Sequence, residues 1–363
     1  MNQKLFHLSK RKELPWYGAW GIRLAAIAIA LVVCGFVTTA MTGENPVAIY
    51  ETMWAGAFGT NRRLWNTLQY LALLLCVSLA VTPAFRMKFW NVGGEGQILV
   101  GGLATAACMI LLGDKVPNYI LIPIMLACAL VAGGVWGAIP AFFKAKWNTN
   151  ETLSTLMMNY IATQLVAFFT ILWEVPKGSG KIGIINQATK SGWLPVVGGQ
   201  KYMLTVLVVA ILTGLVYIYL NWTKHGYEIS VVGESVNTAR YVGIKVDWVI
   251  IRTMLLSGAL CGLAGFLLVG ASDHTISVNT AGGRGFTAVM VSWMAKFNPI
   301  GMIFTSLLLV FLGRGSSEIS SKFQLNDSFG DILTGIILFF IIGCEFFINY
   351  KISLRKTGGK EEK

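Results

Sequence analysis

Apolar and polar residues alternate along this chain in long blocks: about ten apolar stretches, most of about 17 to 25 residues, separated by polar breaks. About 20 apolar residues in a helix cross a hydrocarbon core of about 30 Å. The pattern therefore predicts an all-α polytopic membrane protein, with spans near 17–42, 64–82, 96–113, 119–142, 152–173, 202–221, 248–271, 285–296, 298–314 and 330–349. The eighth is too short to cross as a plain helix, and it opens on Gly282-Gly283-Arg284-Gly285. Two polar stretches stand out, 174–200 and 222–247, and the other breaks read as short turns. Residues 1–363 thus read as one membrane domain: a first half at 17–221, the loop 222–247, a second half at 248–350 and a basic tail at 351–363.

Composition agrees with that reading. Hydrophobic residues make up 55% of the chain and charged ones 13%, and the mean hydropathy is +0.64. A soluble chain of this length needs more charge to cover its surface. The net charge of +12 fits Lys and Arg retained on cytoplasmic loops, and no basic run is interleaved with aromatics as nucleic-acid binding requires. With the N-terminus inside, about 17 basic residues fall on cytoplasmic segments and about 10 outside. The tail residues Lys351, Arg355, Lys356, Lys360 and Lys363 then also lie inside, so both termini are expected in the cytoplasm. Lys4, Lys10, Arg11 and Lys12 precede an apolar run from about residue 19 to 41, too long for a signal-peptide core, so an uncleaved first span is expected.

Weak internal symmetry is visible. Gly93-Gly94-Glu95-Gly96 precedes the third span as Gly282-Gly283-Arg284-Gly285 precedes the eighth, 189 residues later. In the predicted topology one motif sits at the inner face and the other at the outer face. A five-plus-five inverted repeat, common in transporters, produces that arrangement; chance among 40 glycines is the alternative.

Chemical motifs are few. The three histidines, His7, His225 and His274, fall outside the spans, and Asp273-His274 reads as a solvated loop. The six cysteines lie in apolar stretches without metal-ligand or CxxC spacing, so they read as small hydrophobes. No hydrolase, metalloprotease or calcium-loop spacing occurs, and Gly178-Ser179-Gly180-Lys181 lacks the rest of a phosphate loop. No catalytic residue, metal ligand or cofactor site is expected.

Ionisable residues at membrane depth point to function or to pairing. Arg23, Arg252 and Glu345 lie near inner ends, where snorkelling is the simple reading. Glu95, with Asn91 and Gln97 in a glycine-rich entry to the third span, reads as either a polar pathway lining or a hydrogen-bond node that fixes the bend. In the fifth span Asn150 and Glu151 read as helix caps. Asn159 and Gln164 stand about 140° apart on that helix, so at most one faces a given pathway; interhelical bonding is the alternative. Gly258, Gly262 and Gly265 with Ser257 and Cys261 form a small-residue packing face. In the loop 222–247, Glu234 to Val242 forms two helical turns with Gly243 as the stop, a short projecting helix suited to docking on another protein or to lying at the interface as a connector.

These segments resemble a known family. GESVNTARYVGIKV resembles the cytoplasmic coupling segment of ABC-importer permeases of the ribose and branched-chain amino-acid class. NVGGEGQILVGG, NETLSTLMMNYIA and GGRGFTAVMVSWMAKFNPIG are similar to the permeases of bacterial nucleoside importers, with departures at Trp90 and Gly94; the resemblance covers roughly residues 60–350. It implies a multi-pass permease of the bacterial cytoplasmic membrane, acting on nucleosides or simple sugars. It also implies two cytosolic ABC ATPases that hydrolyse the ATP, a second permease (identical or related) and an extracytoplasmic binding lipoprotein. Glu234, Asn237, Arg240, Tyr241 and Gly243 would form the ATPase-coupling element. Asn91, Glu95, Gln97, Gly285, Phe286 and Thr287 would lie beside the pathway, with Asn159 and Gln164 as further candidates. The rival reading is an ion-coupled secondary transporter, which shares five-plus-five repeats but needs a coordinating site near the midplane.

Overall fold

The computed structural model describes residues 6–10, 15–43, 45–326 and 328–354. Lys4, Arg11, Lys12 and the tail residues Arg355, Lys356, Lys360 and Lys363 lie outside them, and the side chains of Arg23, Glu345 and Lys351 are likewise not described. Among the described residues, eight helices are long and apolar enough to cross a membrane. They are α1 (Trp16–Thr42), α3 (Asn61–Arg86), α4 (Gly94–Leu112), α5 (Asn118–Trp147), α6 (Glu151–Leu172), α7 (Met203–Trp222), α10 (Val246–Leu267) with its π-helical extension Leu268–Asp273, and α12 (Pro299–Lys322). α13 (Ser328–Asn349) carries a shorter apolar stretch, Ile332–Ile348. α11 (Arg284–Met294), the short eighth element of the sequence pattern, has 11 residues and measures about 17 Å.

Three features differ from the sequence reading: α2 (Pro46–Phe58), α8 (Lys224–Glu234) and a short strand pair. α2 follows α1 where the sequence reading has a short turn; Asn45 caps it by accepting the Val47 N–H at 2.9 Å, and Pro46 occupies its first turn. The loop 222–247 holds two helices, α8 (Lys224–Glu234) and α9 (Val236–Tyr241), joined at Ser235. A short antiparallel pair, β1 (Phe6–Lys10) with β2 (Tyr350–Leu354), adds strand to a chain expected to be all-α.

The chain divides into two compact units, 1–63 with 309–363 and 64–308. In the first, Cys34 on α1 donates to the Leu333 carbonyl of α13 at 3.8 Å, and Ala26, Cys344 and Ile348 pack together. α2 lies on α12: Arg63 reaches Glu318 at 2.6 Å and the Ala55 carbonyl at 2.9 Å, and a methyl on Gly56 or Gly315 would strike the facing side chain.

The second unit is built on α4, α5 and α10, which approach closely through glycine. A Cβ on Gly262 would stand 2.2 Å from the Ala129 carbonyl oxygen, and one on Gly101 2.4 Å from the Gly262 Cα. Gly133 and Gly258 oppose each other in the same way, so the small-residue face of α10 packs as its sequence predicts. α3 runs antiparallel to α10, with Gln69 bonded to Ser272 at 2.5 Å near one end and Cys76 to the Leu260 carbonyl at 3.9 Å further along. Arg252 does not snorkel: its guanidinium pairs with Glu228 of α8, both side chains being largely buried. An ion pair satisfies the charge where water would otherwise have to reach it.

The 173–202 segment is packed rather than free. Leu194 N–H donates to the Gly270 carbonyl at 3.0 Å and Ile185 N–H to the His274 carbonyl at 2.8 Å. The Trp193 ring stacks on His274 at 3.7 Å. His274 is only 6% exposed, so it is not the solvated loop residue of the sequence reading. Burial, and secondarily Lys201, push its pKa down to about 4, against a weaker opposing pull from Asp273.

Candidate functional site

α4 and α11 begin at the same place. Between the end of α3 and Gly94 the chain runs through Met87–Gly93 without helix, and Asn91 and Gly93 are buried. Val92 N–H donates to Thr155 Oγ1 at 3.3 Å and Asn159 Nδ2 to the Val92 carbonyl at 3.0 Å, so α6 holds this entry strand from the side. Asn159 lies eight residues into α6, about 12 Å along its axis. The entry segment therefore reaches well into the membrane-spanning part of the bundle before α4 starts.

α11 starts against it. Gly283, at φ +73°, ends the approach from the 274–282 loop and has no side chain with which to cap a helix. Glu95, in the first turn of α4, supplies the cap from outside: Gly283 N–H donates to Oε1 at 2.7 Å and Gly285 N–H to Oε2 at 2.8 Å. A carboxylate bonded to free N–H groups also meets the positive ends of both helix dipoles. Contact is close enough that a Cβ on Gly285 would stand 2.3 Å from the Glu95 amide nitrogen. The sequence reading sets the two glycine motifs at opposite faces; the structure corrects this. The motifs touch, because each chain entry folds back into the bundle before its helix begins.

From this junction the helices diverge. The far end of α4 meets the 173–202 segment, where Asn186 donates to the Met109 carbonyl at 2.8 Å. α11 runs the other way: Ser292 bonds the Ser78 carbonyl at 3.1 Å, and Trp293 stacks on Trp90 at 5.3 Å. Phe85 and Phe297 complete a four-ring cluster there. Trp90 and Trp293 are 44% and 48% exposed, and the sequence reading picked neither for a role. Their signal lies only in tertiary contact, since 203 residues separate them.

The candidate pathway residues separate into two groups. Asn91, Gln97 and Asn159 are buried, and their polar atoms bond inside the frame. Asn91 Nδ2 donates to Ser257 at 3.0 Å, Gln97 Nε2 to Asn91 Oδ1 at 3.3 Å, and Asn159 Oδ1 accepts from Gly96 N–H at 2.8 Å. Glu95 has both oxygens engaged, by the Gly283 and Gly285 N–H groups. Phe286, at 44%, and Gln164 are exposed, while Thr287 bonds back to the Gly283 carbonyl at 3.1 Å. Arg284, the positional counterpart of Glu95, does not pair with it. Its guanidinium bonds the Ala281 carbonyl at 3.1 Å and lies 5.4 Å from the Tyr70 ring centre.

α8 and α9 sit at the end of the unit where α3 and α7 finish. Arg86 of α3 donates to the Leu220 carbonyl at 3.1 Å, and a Cβ on Gly233 would stand 2.2 Å from the Arg86 carbonyl oxygen. Ile229, Val232 and Ala239 are buried with Ala84, Met87, Ala141 and Val249. Ser235 caps α9 by accepting the Thr238 N–H at 3.2 Å, so the helix starts at Val236 rather than at the expected Glu234. Past α9, Gly243 turns the chain at φ +83°, as the sequence predicts. Asn237, Arg240, Tyr241 and Val242 are exposed, Tyr241 to 93%. A cavity of about 300 Å³ opens beside the cap, lined among others by Lys88, Lys144, Glu151 and Glu234.

α8 and α9 are thus held at the ends of α3 and α7, with the Tyr241 ring turned out. Residues 63–342 match the family described as branched-chain amino acid transport system / permease component. The chain belongs to that family. It is a permease component, a transport subunit rather than an enzyme, and a multi-pass protein of the plasma membrane. It is 27% identical over 365 residues to a glucose ABC transporter permease protein of Haloferax volcanii, covering 98% of this chain and 95% of the relative. A guanosine ABC transporter permease protein of Bacillus subtilis is 29% identical over 324 residues, 88% of this chain and 92% of the relative. A nucleoside ABC transporter permease protein of Lactococcus lactis subsp. cremoris is 27% identical over 333 residues, 88% and 91%.

Proposed function

We propose that this permease imports nucleosides, driven by ATP that cytosolic ABC ATPases hydrolyse, and that α9 is the element those ATPases grip. The observation that carries the coupling reading is the mounting of α9. Its polar and aromatic surface faces away from the bundle, while its base is locked to α3, α7 and α10 through Gly233, Arg86 and the Glu228–Arg252 pair. The nucleoside reading draws on the guanosine and nucleoside relatives, and sugar is the competing substrate because of the glucose relative.

In this reading the α8–α9 end is cytoplasmic and the 173–202 segment is external, with both termini inside. α4 and α11 are entered from opposite sides, and α11 and α13 added to the eight long helices make ten membrane segments in a five-plus-five inverted relation. When the ATPases close, α9 moves with α8 and pushes on Arg86 and Met87 at the end of α3. The next residues are the entry strand 88–93, and after them comes Glu95. Motion at the ATPase surface thus reaches the α4–α11 junction through covalent chain and packed glycine contacts, with little slack to absorb it. Phe286 beside the junction and the Trp90–Trp293 pair supply aromatic surface suited to a planar base. Asn91, Gln97 and Asn159 keep the frame rigid around it. A binding lipoprotein outside and a second permease complete the complex.

ATP-dependent uptake of labelled guanosine, adenosine, uridine, ribose and glucose into proteoliposomes tests this, using the chain with its neighbouring ATPase, binding protein and second permease. Nucleoside uptake that is lost in Arg240→Glu, with assembly intact, is the expected result. Uptake of sugar alone overturns the substrate, and uptake that follows an ion gradient and ignores ATP overturns the mechanism.

A further inference from the structure

Arg284 carries a charge below the membrane surface. Its guanidinium carbon lies 5.4 Å from the Tyr70 ring centre, and Tyr70 is nine residues, about 14 Å, from the Asn61 end of α3. That helix measures about 39 Å against a hydrocarbon core of about 30 Å, so Arg284 sits beneath the headgroups. In the proposed orientation it is on the outer side of the α4–α11 junction. An arginine at such depth pairs with a carboxylate or stands in water. Arg252 and Arg63 pair, with Glu228 and Glu318. No carboxylate pairs with Arg284 among the described residues, because Glu95 gives both oxygens to the Gly283 and Gly285 N–H groups. Nη1 makes both of the Arg284 hydrogen bonds, to the Thr280 and Ala281 carbonyls at 3.3 and 3.1 Å. Nη2 and Nε have no partner among the described residues, and the side chain is only half-buried. Lipid tails cannot accept from those donors, so water must reach them.

The charges around this wet recess do not cancel. The N-termini of α4 and α11 meet at the junction, and each helix end carries about half an elementary positive charge. Glu95 offsets that pair. At the end of the π-helical extension Asp273 and Lys201 both bond Ser272, at 2.6 and 3.2 Å, and offset each other. The Arg284 charge is what remains. Salt screens it over about 8 Å in open solution, and less strongly where apolar walls leave little room for counterions.

We propose that Arg284 is a specificity-determining residue of the pathway: its charge makes the outer approach to the junction positive, so that neutral or anionic solutes pass and metal cations and protons are turned back. A passage wide enough for a nucleoside is wide enough for Na⁺ and H₃O⁺, so size cannot exclude them and an electrostatic barrier must. The inference rests on the importer reading and adds to it the class of solute refused.

The test uses the complete complex. Phe286→Cys, two residues along α11 and exposed in the native chain, is the probe. Its labelling rates with a sulfonate-bearing and a trimethylammonium-bearing methanethiosulfonate are compared, and mass spectrometry separates adducts at 286 from those at the native cysteines. The neutral thiol 2-mercaptoethanol in the same buffer gives the reference ratio. Expected is an anion-to-cation ratio at 286 several-fold above the reference, which Arg284→Gln brings down to it and Arg284→Lys largely keeps. No labelling at 286, or a ratio equal to the reference, overturns the inference. A fall as large in Arg284→Lys as in Arg284→Gln overturns it too, and leaves the side chain as a clasp on the Thr280 and Ala281 carbonyls. Sodium entry into proteoliposomes during turnover, counted per nucleoside imported, is the second measurement. It is expected to rise several-fold in Arg284→Gln and not in Arg284→Lys; no rise in either removes the barrier. Nucleoside uptake by the unsubstituted complex that ignores ATP, with the labelling ratio as expected, would instead count against the importer reading.

Discussion

Glu95 holds two backbone N–H groups of another helix, one with each carboxylate oxygen. Gln in its place keeps one good acceptor and turns an NH₂ toward a backbone donor. The expected cost is about 1–3 kcal/mol, the range for a buried donor left unmet. Glu95→Gln should therefore lower the melting temperature of the detergent-solubilised permease and raise the thiol reactivity of a Phe286→Cys probe beside the junction. If neither changes, Glu95 does not clip α11 in place. His274 offers a second measurement at this scale. Its pKa, pushed from 6.5 down to about 4, means that the packed state favours the neutral ring. The unpacked state binds more protons between those values, so the contribution is full above about 6.5 and is lost as the pH falls toward about 4. Protease cleavage of the 173–202 segment should rise between pH 7 and pH 4.5 in the unsubstituted chain and lose most of that rise in His274→Phe. An equal rise in both would assign the effect to other groups. Sequence singled out Glu95 as either a pathway lining or a hydrogen-bond node, and the structure shows both its oxygens bonded to α11. Sequence missed the His274 burial, because the ring that covers it comes from Trp193, 81 residues earlier.

Among elements, α8 and α9 depend on contact that tolerates no side chain. A methyl at Gly233 would need to displace the Arg86 carbonyl, which already ends α3. Gly233→Ala should leave the permease in the membrane and bound to its ATPase, while uptake falls several-fold and ATP hydrolysis persists. Uptake and hydrolysis falling together, or neither falling, would separate this contact from coupling. The periodicity of the loop 222–247 predicts the α9 turns and the Gly243 stop. It does not predict that α8 precedes them, because Lys224 to Glu234 has no long apolar run; its helix is held by Ile229 and Val232 against a core built from α3, α5 and α10. α2 escapes notice for a related reason: 13 residues are too few to span, although the Asn45-Pro46 cap is present in the sequence.

For the whole molecule, sidedness is the measurable consequence. A cysteine at Lys190 should react with a membrane-impermeant maleimide in intact cells, and one at Tyr241 only in inverted vesicles; the reverse pattern would invert the topology. Spans were legible because crossing a bilayer demands a length of apolar helix that composition alone reveals, as α1, α5 and α7 show. Family membership was legible too, in the glycine-rich entries and the α9 segment. What the chain order could not convey is where those entries end. Gly94 and Gly285 lie 191 positions apart and repeat the same motif, which the linear pattern sets at opposite faces. Folding brings them together, because each entry must satisfy its backbone inside the bundle and one carboxylate does so for α11. Hydrophobic length is a local property, written residue by residue; the partners of buried polar groups are fixed only when distant segments pack.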